Sequence, residues 1–299
     1  MLKLSILILR SASYLASFMT QSADAFVYTL PGIPAMTPYD FDRATRLIKA
    51  RTGIVLGNHK EDMVARNLGL YTKKLGLQKV SDYLDHLEYN TSSPEWERFI
   101  TIFTINHTAF YREQHHFDIL ADYVKTLEKP IAIWSSACST GEEAYSIAMT
   151  LYENISIPEN GVQVVATDID TVAVERARQG IYTLDRVQPI PQPLLKKYFY
   201  RGTGSFSGMA RVKPSLQKIV EFGVANLVSG ESWPQGRTFD AVFCRNTMIY
   251  FDRPTQTQIL ERFAKIIKPG GLLFVGHSEN FSHMTSAFKL QGQTVYVRT

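Results

Sequence analysis

The sequence predicts an α/β protein: a Rossmann-like, mainly parallel sheet with a small antiparallel β insertion, preceded by an all-α N-terminal domain. Three observations predict it. From Ile131 onward, short β-branched apolar runs alternate with helical periodicity. Residues 37–106 carry helical periodicity alone. Between 181 and 219 the alternation breaks, and Pro189, Pro191, Pro193, Gly202, Gly204 and Gly208 crowd among short strand candidates. The expected divisions are an N-terminal extension over 1–30, a helical domain over 31–105 and an α/β domain over 106–299.

The totals suit this reading. Apolar residues make up 45% and charged residues 20% of the 299, which allows a sizeable core. The net charge of +4 is mild and far from a nucleic-acid-binding signature, so no nucleic-acid partner is expected. Cys138 and Cys244 are the only cysteines, each at the end of an apolar run. They are expected as buried thiols in a reducing, cytoplasmic setting, and no cysteine pair suggests a metal. The first 25 residues combine Lys3, a short apolar run and the ending Ala23-Asp24-Ala25, which looks like a secretory signal. Arg10 cuts the run short and no stretch reaches membrane-spanning length. A disordered extension or a misplaced start codon is expected, with no membrane insertion.

In the helical domain, Phe41, Ala44, Leu47 and Ile48 share one face of a helix over 39–52 that Gly53 stops. Asn58 with Glu61 predicts the next helix start, Ser81 a third and Ser93-Pro94-Glu95 a fourth. The charge is lopsided: Arg43, Arg46, Lys49, Arg51, Lys60, Arg66, Lys73, Lys74 and Lys79 against Asp40, Asp42, Glu61 and Asp62. Such a face is either solvated or a docking surface for an acidic helical partner. The junction NHTAFYREQHH (106–116) leads into a helix over 114–127. His107, His115 and His116 match no zinc signature and are expected as surface histidines.

The stretch IAIWSSACSTGEEAYS (131–146) carries the chemistry. A strand turns through small residues into a helix, with Thr140 as expected N-cap and Glu143 completing a capping box. This is the layout of a nucleotide-cofactor crevice. It lacks GxGxxG, having only Gly141, so a pyrophosphate is disfavoured, and with it a nicotinamide cofactor. Glu142 and Glu143 suit a cationic ligand instead. S-adenosylmethionine (SAM) has an adenosine, no phosphate, a sulfonium and an ammonium. The plainer reading, with Glu143 only capping and Glu142 solvated, stays open at this point. A second buried strand, 162–167, ends in Asp168-Ile169-Asp170, and an acid there binds ribose hydroxyls. Further strands are expected at 219–222, 239–244, 272–275 and 294–297, with a helix over 255–267 closed by Pro269-Gly270-Gly271.

With these segments in place, the sequence closely resembles the CheR family, methyltransferases that modify glutamates of bacterial chemoreceptors. The resemblance runs from about residue 37 to the end. It rests on NHTAFYRE (106–113), SSACSTGEEAYSIA (135–148), ATDID (166–170), ANL (225–227), CRNTMIYFD (244–252) and GHSENF (276–281). Tyr111 stands where the family usually has Phe, and residues 1–25 have no counterpart. The resemblance implies that Asn106, Thr108 and Arg112 line the cofactor. It gives Glu143 the methionyl ammonium, Asp168 the ribose hydroxyls, and Asn226 and Leu227 the adenine. Arg245 and Asn246 would close the site. Arg112 and Tyr250 are the expected catalytic residues, Arg112 orienting the substrate carboxylate or holding that of the cofactor. No metal is expected. The product would be S-adenosylhomocysteine. The partners would be methyl-accepting chemoreceptors, docked through the helical domain, with a receptor tail peptide on the β insertion in some members. A monomer is expected. Two rivals remain at this level: a module that binds SAM without catalysis, and a nucleic-acid methyltransferase. The latter is disfavoured because Arg245-Asn246-Thr247-Met248 stands where an Asn/Asp-Pro-Pro-aromatic tetrad would be.

Overall fold

A computed structural model describes residues 32–156, 161–230 and 232–299. The expectations for residues 1–30 lie outside the described residues. The chain forms two compact units, one of the residues up to Ala44 together with Asn58–Asn90, the other of Thr45–Gly57 and Thr91–Thr299.

Helix α1 (Pro38–Thr52) begins in the first unit, which also holds α2 (Glu61–Lys74) and α3 (Val80–Tyr89). Asn58 does not open α2: residues 58–60 form a 3-10 turn, and Lys60 takes the N-cap without a side-chain bond. Helix α3 starts one residue before Ser81. Leu68, Leu84 and Leu87 are buried as their helical spacing suggests, joined by Val64, whereas Leu70 and Leu75 are exposed. Arg43 is not part of a free basic face. It is buried, and its guanidinium donates to Asp85 (2.5 Å) and Glu88 (2.8 and 3.2 Å).

The second unit takes the end of α1 and resumes with α4 (Glu95–Phe103) and α5 (His115–Val124). It continues through β1 (Ile131–Ser135), α6 (Glu142–Asn154), β2 (Val162–Asp168) and α7 (Thr171–Gln179). The insertion comprises β3 (Ile181–Thr183), α8 (Gln192–Tyr198), β4 (Phe199–Arg201), β5 (Met209–Val212) and α9 (Pro214–Gln217). Then follow β6 (Val220–Val224), β7 (Phe239–Cys244), α10 (Arg253–Ile266), β8 (Ile267–Val275), β9 (Phe288–Gly292) and β10 (Val295–Arg298). The main sheet runs β6-β2-β1-β7-β8-β10-β9, parallel except for β10, which is antiparallel to both neighbours. The insertion is an antiparallel sheet of order β3-β5-β4. Pro269-Gly270-Gly271 does not close α10; those residues lie within β8.

Period-two alternation builds a core on each face of the sheet. Ile133, Ala241, Phe243, Leu272 and Phe274 pack with Phe117, Ala144 and Ile147 on one side. Trp134, Val242, Cys244, Leu273 and Val275 pack with Ile259, Leu260 and Phe263 on the other. The chain steps outward from β1 to β2 and β6, then crosses to β7 on the opposite flank. Strand order reverses between β1 and β7, so the loops leaving their carboxyl ends diverge and open a crevice.

Candidate active site

That crevice holds a cavity, part of it open to solvent. Its wall comes from the junction before α5 and from the carboxyl ends of β1, β2, β6 and β7. All ten residues singled out from sequence line it: Asn106, Thr108, Arg112, Glu143, Asp168, Asn226, Leu227, Arg245, Asn246 and Tyr250.

The turn after β1 forms differently from the expected capping box. Gly141, not Thr140, is the N-cap of α6, with a left-handed φ of 97° and no side-chain cap. A Cβ there would lie 2.8 Å from Ala177 Cβ and 2.9 Å from Tyr182 Oη, so glycine is required for both φ and space. Thr140 Oγ1 instead donates to Glu142 Oε2 (2.7 Å). Glu142 is buried rather than solvated and is ion-paired to Arg186 of the insertion. Tyr182 Oη, also of the insertion, donates to the Thr140 carbonyl (2.8 Å). Glu143 is free of capping and points at the cavity. It accepts from Ser135 Oγ (2.7 Å) and from Arg245 Nη1 (3.2 Å), and burial pushes its carboxyl above the ordinary range.

Asp168, at the end of β2, lies across the small-residue turn from Glu143. Its Oδ2 accepts from Ser139 N (2.8 Å) and its Oδ1 from Asp170 N (3.0 Å). One lone pair per oxygen is left for a ligand hydroxyl. Burial raises its carboxyl to about 6, against the pull of those backbone donors. Asp170, not Asp168, caps α7, accepting from Val172 N and Ala173 N. Asp170 also receives Thr101 Oγ1 (3.2 Å), Thr104 Oγ1 (2.7 Å) and Asn106 Nδ2 (2.7 Å). Asn106 Oδ1 accepts from Ser139 Oγ (3.0 Å). The Asn106 amide thereby ties the junction to the turns after β1 and β2. Asn226 is similarly engaged, its Nδ2 donating to Arg51 O (2.9 Å) and its Oδ1 accepting from Val228 N (2.9 Å).

Arg245 is 6% exposed, between two carboxylates. Nη1 meets Glu143, Nη2 lies 3.4 Å from Glu113 Oε2, and Nη2 also donates to the Arg112 carbonyl. Arg112 Nη1 donates to the His107 carbonyl (2.8 Å). The loop after β7 is shaped by Glu279, a residue the sequence left without a role. Its buried carboxylate accepts from Asn246 N (3.0 Å), Thr247 N (2.9 Å), Ile249 N (3.3 Å) and Gly276 N (2.6 Å). Glu113 and His277 were likewise left unassigned, although both sit inside the motifs quoted above. His116 is not a surface histidine. It is buried, and its Nε2 meets the Gln293 carbonyl at 2.9 Å. Burial, aided by the Arg245 charge, lowers its imidazolium to about 4. No group of three or more His, Cys, Asp or Glu suited to a metal occurs among the described residues. Cys138 and Cys244 are buried free thiols. No helix among the described residues is long and apolar enough to cross a membrane.

Comparison with known proteins bears on this geometry directly. The family model "CheR methyltransferase, SAM binding domain" matches residues 106–297, and "CheR methyltransferase, all-alpha domain" matches residues 39–104. The chain belongs to the CheR methyltransferase family. It is 47% identical over 262 residues to the chemotaxis protein methyltransferase of Escherichia coli, spanning 88% of this chain and 91% of that one. It is 44% identical over 263 residues to chemotaxis protein methyltransferase 2 of Pseudomonas aeruginosa, spanning 87% and 93%. S-adenosylmethionine is therefore the cofactor of the α/β unit. The donor set of this CheR cavity fits that molecule: carboxylates at two separated points, with small side chains at Ser136, Ala137 and Ser139 between them.

Proposed function

We propose that the chain transfers the methyl group of SAM to glutamate side chains of bacterial chemoreceptors, forming methyl esters, as a cytoplasmic monomer. The observation that carries this reading is the joint presence, in one cavity at the sheet's switch point, of two ligand-facing carboxylates and the pair Arg112 and Tyr250. In this reading Asp168 takes the ribose hydroxyls and Leu227, beside Asn226, borders the adenine. Glu143 and Arg245 hold the amino-acid end, with Asn106, Thr108 and Asn246 completing the wall. When bound, SAM supplies an electrophilic methyl on a sulfonium.

The acceptor needs no base. A glutamate is ionised at neutral pH, its carboxyl lying near about 4.3. The protein's task is to orient that carboxylate and strip its water. Arg112 has one guanidinium nitrogen anchored on the His107 carbonyl, which leaves its other edge for a bidentate carboxylate contact. Burial raises the Tyr250 phenol above its ordinary range, so at neutral pH it stays a hydrogen-bond donor. The helical residues 39–104 would dock the acidic receptor helices, and the small β sheet would offer a place for a receptor tail peptide.

The test is transfer of label from methyl-labelled SAM to chemoreceptor-bearing membranes, followed by mild alkali. Label in receptor-sized protein that leaves as volatile methanol is expected. Alkali-stable label would indicate N-methylation and overturn the proposal; SAM binding without any transfer would favour a non-catalytic sensor.

A further inference from the structure

Glu113 ends the NHTAFYRE motif, and nothing in the reaction described so far uses it. Its backbone is left-handed, with φ 56°, and so is that of Tyr111 at φ 53°. Arg112 therefore rides on a turn flanked by two conformations that side chains resist. The Glu113 carboxylate meets residues from two other segments. Oε1 accepts from His277 Nδ1 (3.1 Å), from His277 N (3.4 Å) and from Asn246 Nδ2 (3.4 Å). Oε2 lies 3.4 Å from Arg245 Nη2 and 3.5 Å from His116 Nδ1, with no hydrogen-bond partner. His116 Nε2 faces the Gln293 carbonyl and so carries the ring proton, which leaves Nδ1 a lone pair. His116 thus offers Glu113 no compensating charge. Among the described residues, the cation within ion-pair reach on the Oε2 side is Arg245.

Arg245 is shared. It also pairs with Glu143 and holds the Arg112 carbonyl through Nη2. The buried Arg245 guanidinium is therefore shared by two carboxylates, that of buried Glu143 and that of partly buried Glu113. Without Glu113, Arg245 would balance Glu143 one to one, and its side chain would be free to turn toward Glu143 alone. Both changes act at one end of the cavity; Asp168 is on the other side of the turn after β1.

We infer that Glu113 is a positioning residue that fixes Arg245 and keeps the Glu143 side of the cavity negative, so that the site holds the amino-acid end of its ligand. This rests on the reading above that Glu143 and Arg245 face that end. It concerns recognition of a zwitterionic ligand terminus and not the nucleoside.

Two ligands separate this role from a merely structural one. S-adenosylhomocysteine has the amino-acid end, and 5′-methylthioadenosine has the same nucleoside and sulfur without it. Calorimetric titration of the full chain with each would be run for the wild type, Glu113→Gln and Glu113→Asp. For Glu113→Gln, which keeps the shape and loses the charge, we expect affinity for S-adenosylhomocysteine to fall about tenfold or more. Affinity for 5′-methylthioadenosine should stay within about twofold. Glu113→Asp, which keeps the charge, should recover most of the loss. Equal weakening of both ligands, or no weakening of either, would overturn the inference while leaving SAM binding intact. A wild-type chain that bound neither would overturn the SAM reading itself.

Discussion

Asp170→Asn should destabilise the α/β unit without altering its shape, by an amount that follows from five hydrogen bonds. In the wild type Oδ1 accepts from Val172 N (3.0 Å), Ala173 N (3.1 Å) and Thr101 Oγ1 (3.2 Å). Oδ2 accepts from Thr104 Oγ1 and Asn106 Nδ2, both at 2.7 Å. An amide has one acceptor edge. If its oxygen keeps the cap of α7, its NH2 faces the Asn106 NH2, donor against donor, while Thr104 can rotate its hydroxyl and recover one bond. Bonds to a buried charge are worth about 1.5–3 kcal/mol each, so the net loss after that recovery is about 2–4 kcal/mol. For a unit of this size that lowers Tm by about 4–16 °C. Trp96, Trp134 and Trp233 all lie in the second unit and are the only tryptophans, so their fluorescence reports its melting. The pH dependence has a definite sign. Burial opposes ionisation of Asp170, but the bonds from Thr104 and Asn106 outweigh it and hold the carboxyl below its ordinary value. Its stabilisation is therefore complete above the unfolded value near about 3.9 and is lost as pH falls through the lower folded value. The gap between wild type and Asp170→Asn should hold at pH 7 and narrow below about pH 4. A Tm drop of less than about 2 °C at pH 7 would refute the reasoning.

Three other substitutions probe the site. Asp168→Ala should weaken SAM binding at least about tenfold by calorimetry, since two charge-assisted bonds go; unchanged affinity would remove Asp168 from the ribose role. Because burial raises the Asp168 carboxyl to about 6, wild-type affinity should fall as pH drops through that value, and a flat profile from pH 8 to 5 would contradict it. Arg112→Ala should cut turnover about a hundredfold through lost orientation of the acceptor while leaving SAM affinity nearly unchanged, and full turnover would refute this. Gly276→Ala would place a Cβ 2.4 Å from Asn246 Nδ2 and 2.8 Å from Asn246 N, where the backbone cannot give. A cost of about 1–3 kcal/mol is expected, read as a lowered Tm.

What could be read from the sequence, and what could not, divides by the range of the interactions involved. Strands β1, β2 and β7 are buried on both faces, so they appear as continuous apolar runs and were legible. Strand β9 is an edge strand with one buried residue, Phe288, and leaves no such run. In the cavity wall, Glu143 and Asp168 were legible as acids that follow strands, whereas Asn106, Thr108, Arg112, Asn226, Leu227, Arg245 and Asn246 were expected only from the resemblance to CheR motifs. The capping box at Thr140 failed because local spacing cannot report that Glu143 is claimed by Arg245, 102 positions away. His116 was misread for the same reason, its partner Gln293 lying 177 positions on.

The least legible feature is backbone strain, and it is concentrated at the site. Ser139 (φ 48°) and Asn246 (φ 56°) line the cavity in left-handed conformations, and Tyr111 and Glu113 flank Arg112 in the same region. Asn tolerates that region; for the others it costs about 1–2 kcal/mol each. Each of the four has a long-range polar contact that holds it. Tyr111 N donates to Ser146 Oγ (3.0 Å), Ser139 N to Asp168, Asn246 N to Glu279, and Glu113 accepts from His277. Three of those four contacts engage an acidic side chain. Asp168 and Glu143 line the cavity itself, Asp168 also holding Ser139, while Glu113, Asp170 and Glu279 accept hydrogen bonds from the segments around it. At Glu113 the glutamine variant keeps the shape and removes the charge at one end of the cavity, which is why the paired ligands proposed for it discriminate more sharply than activity alone.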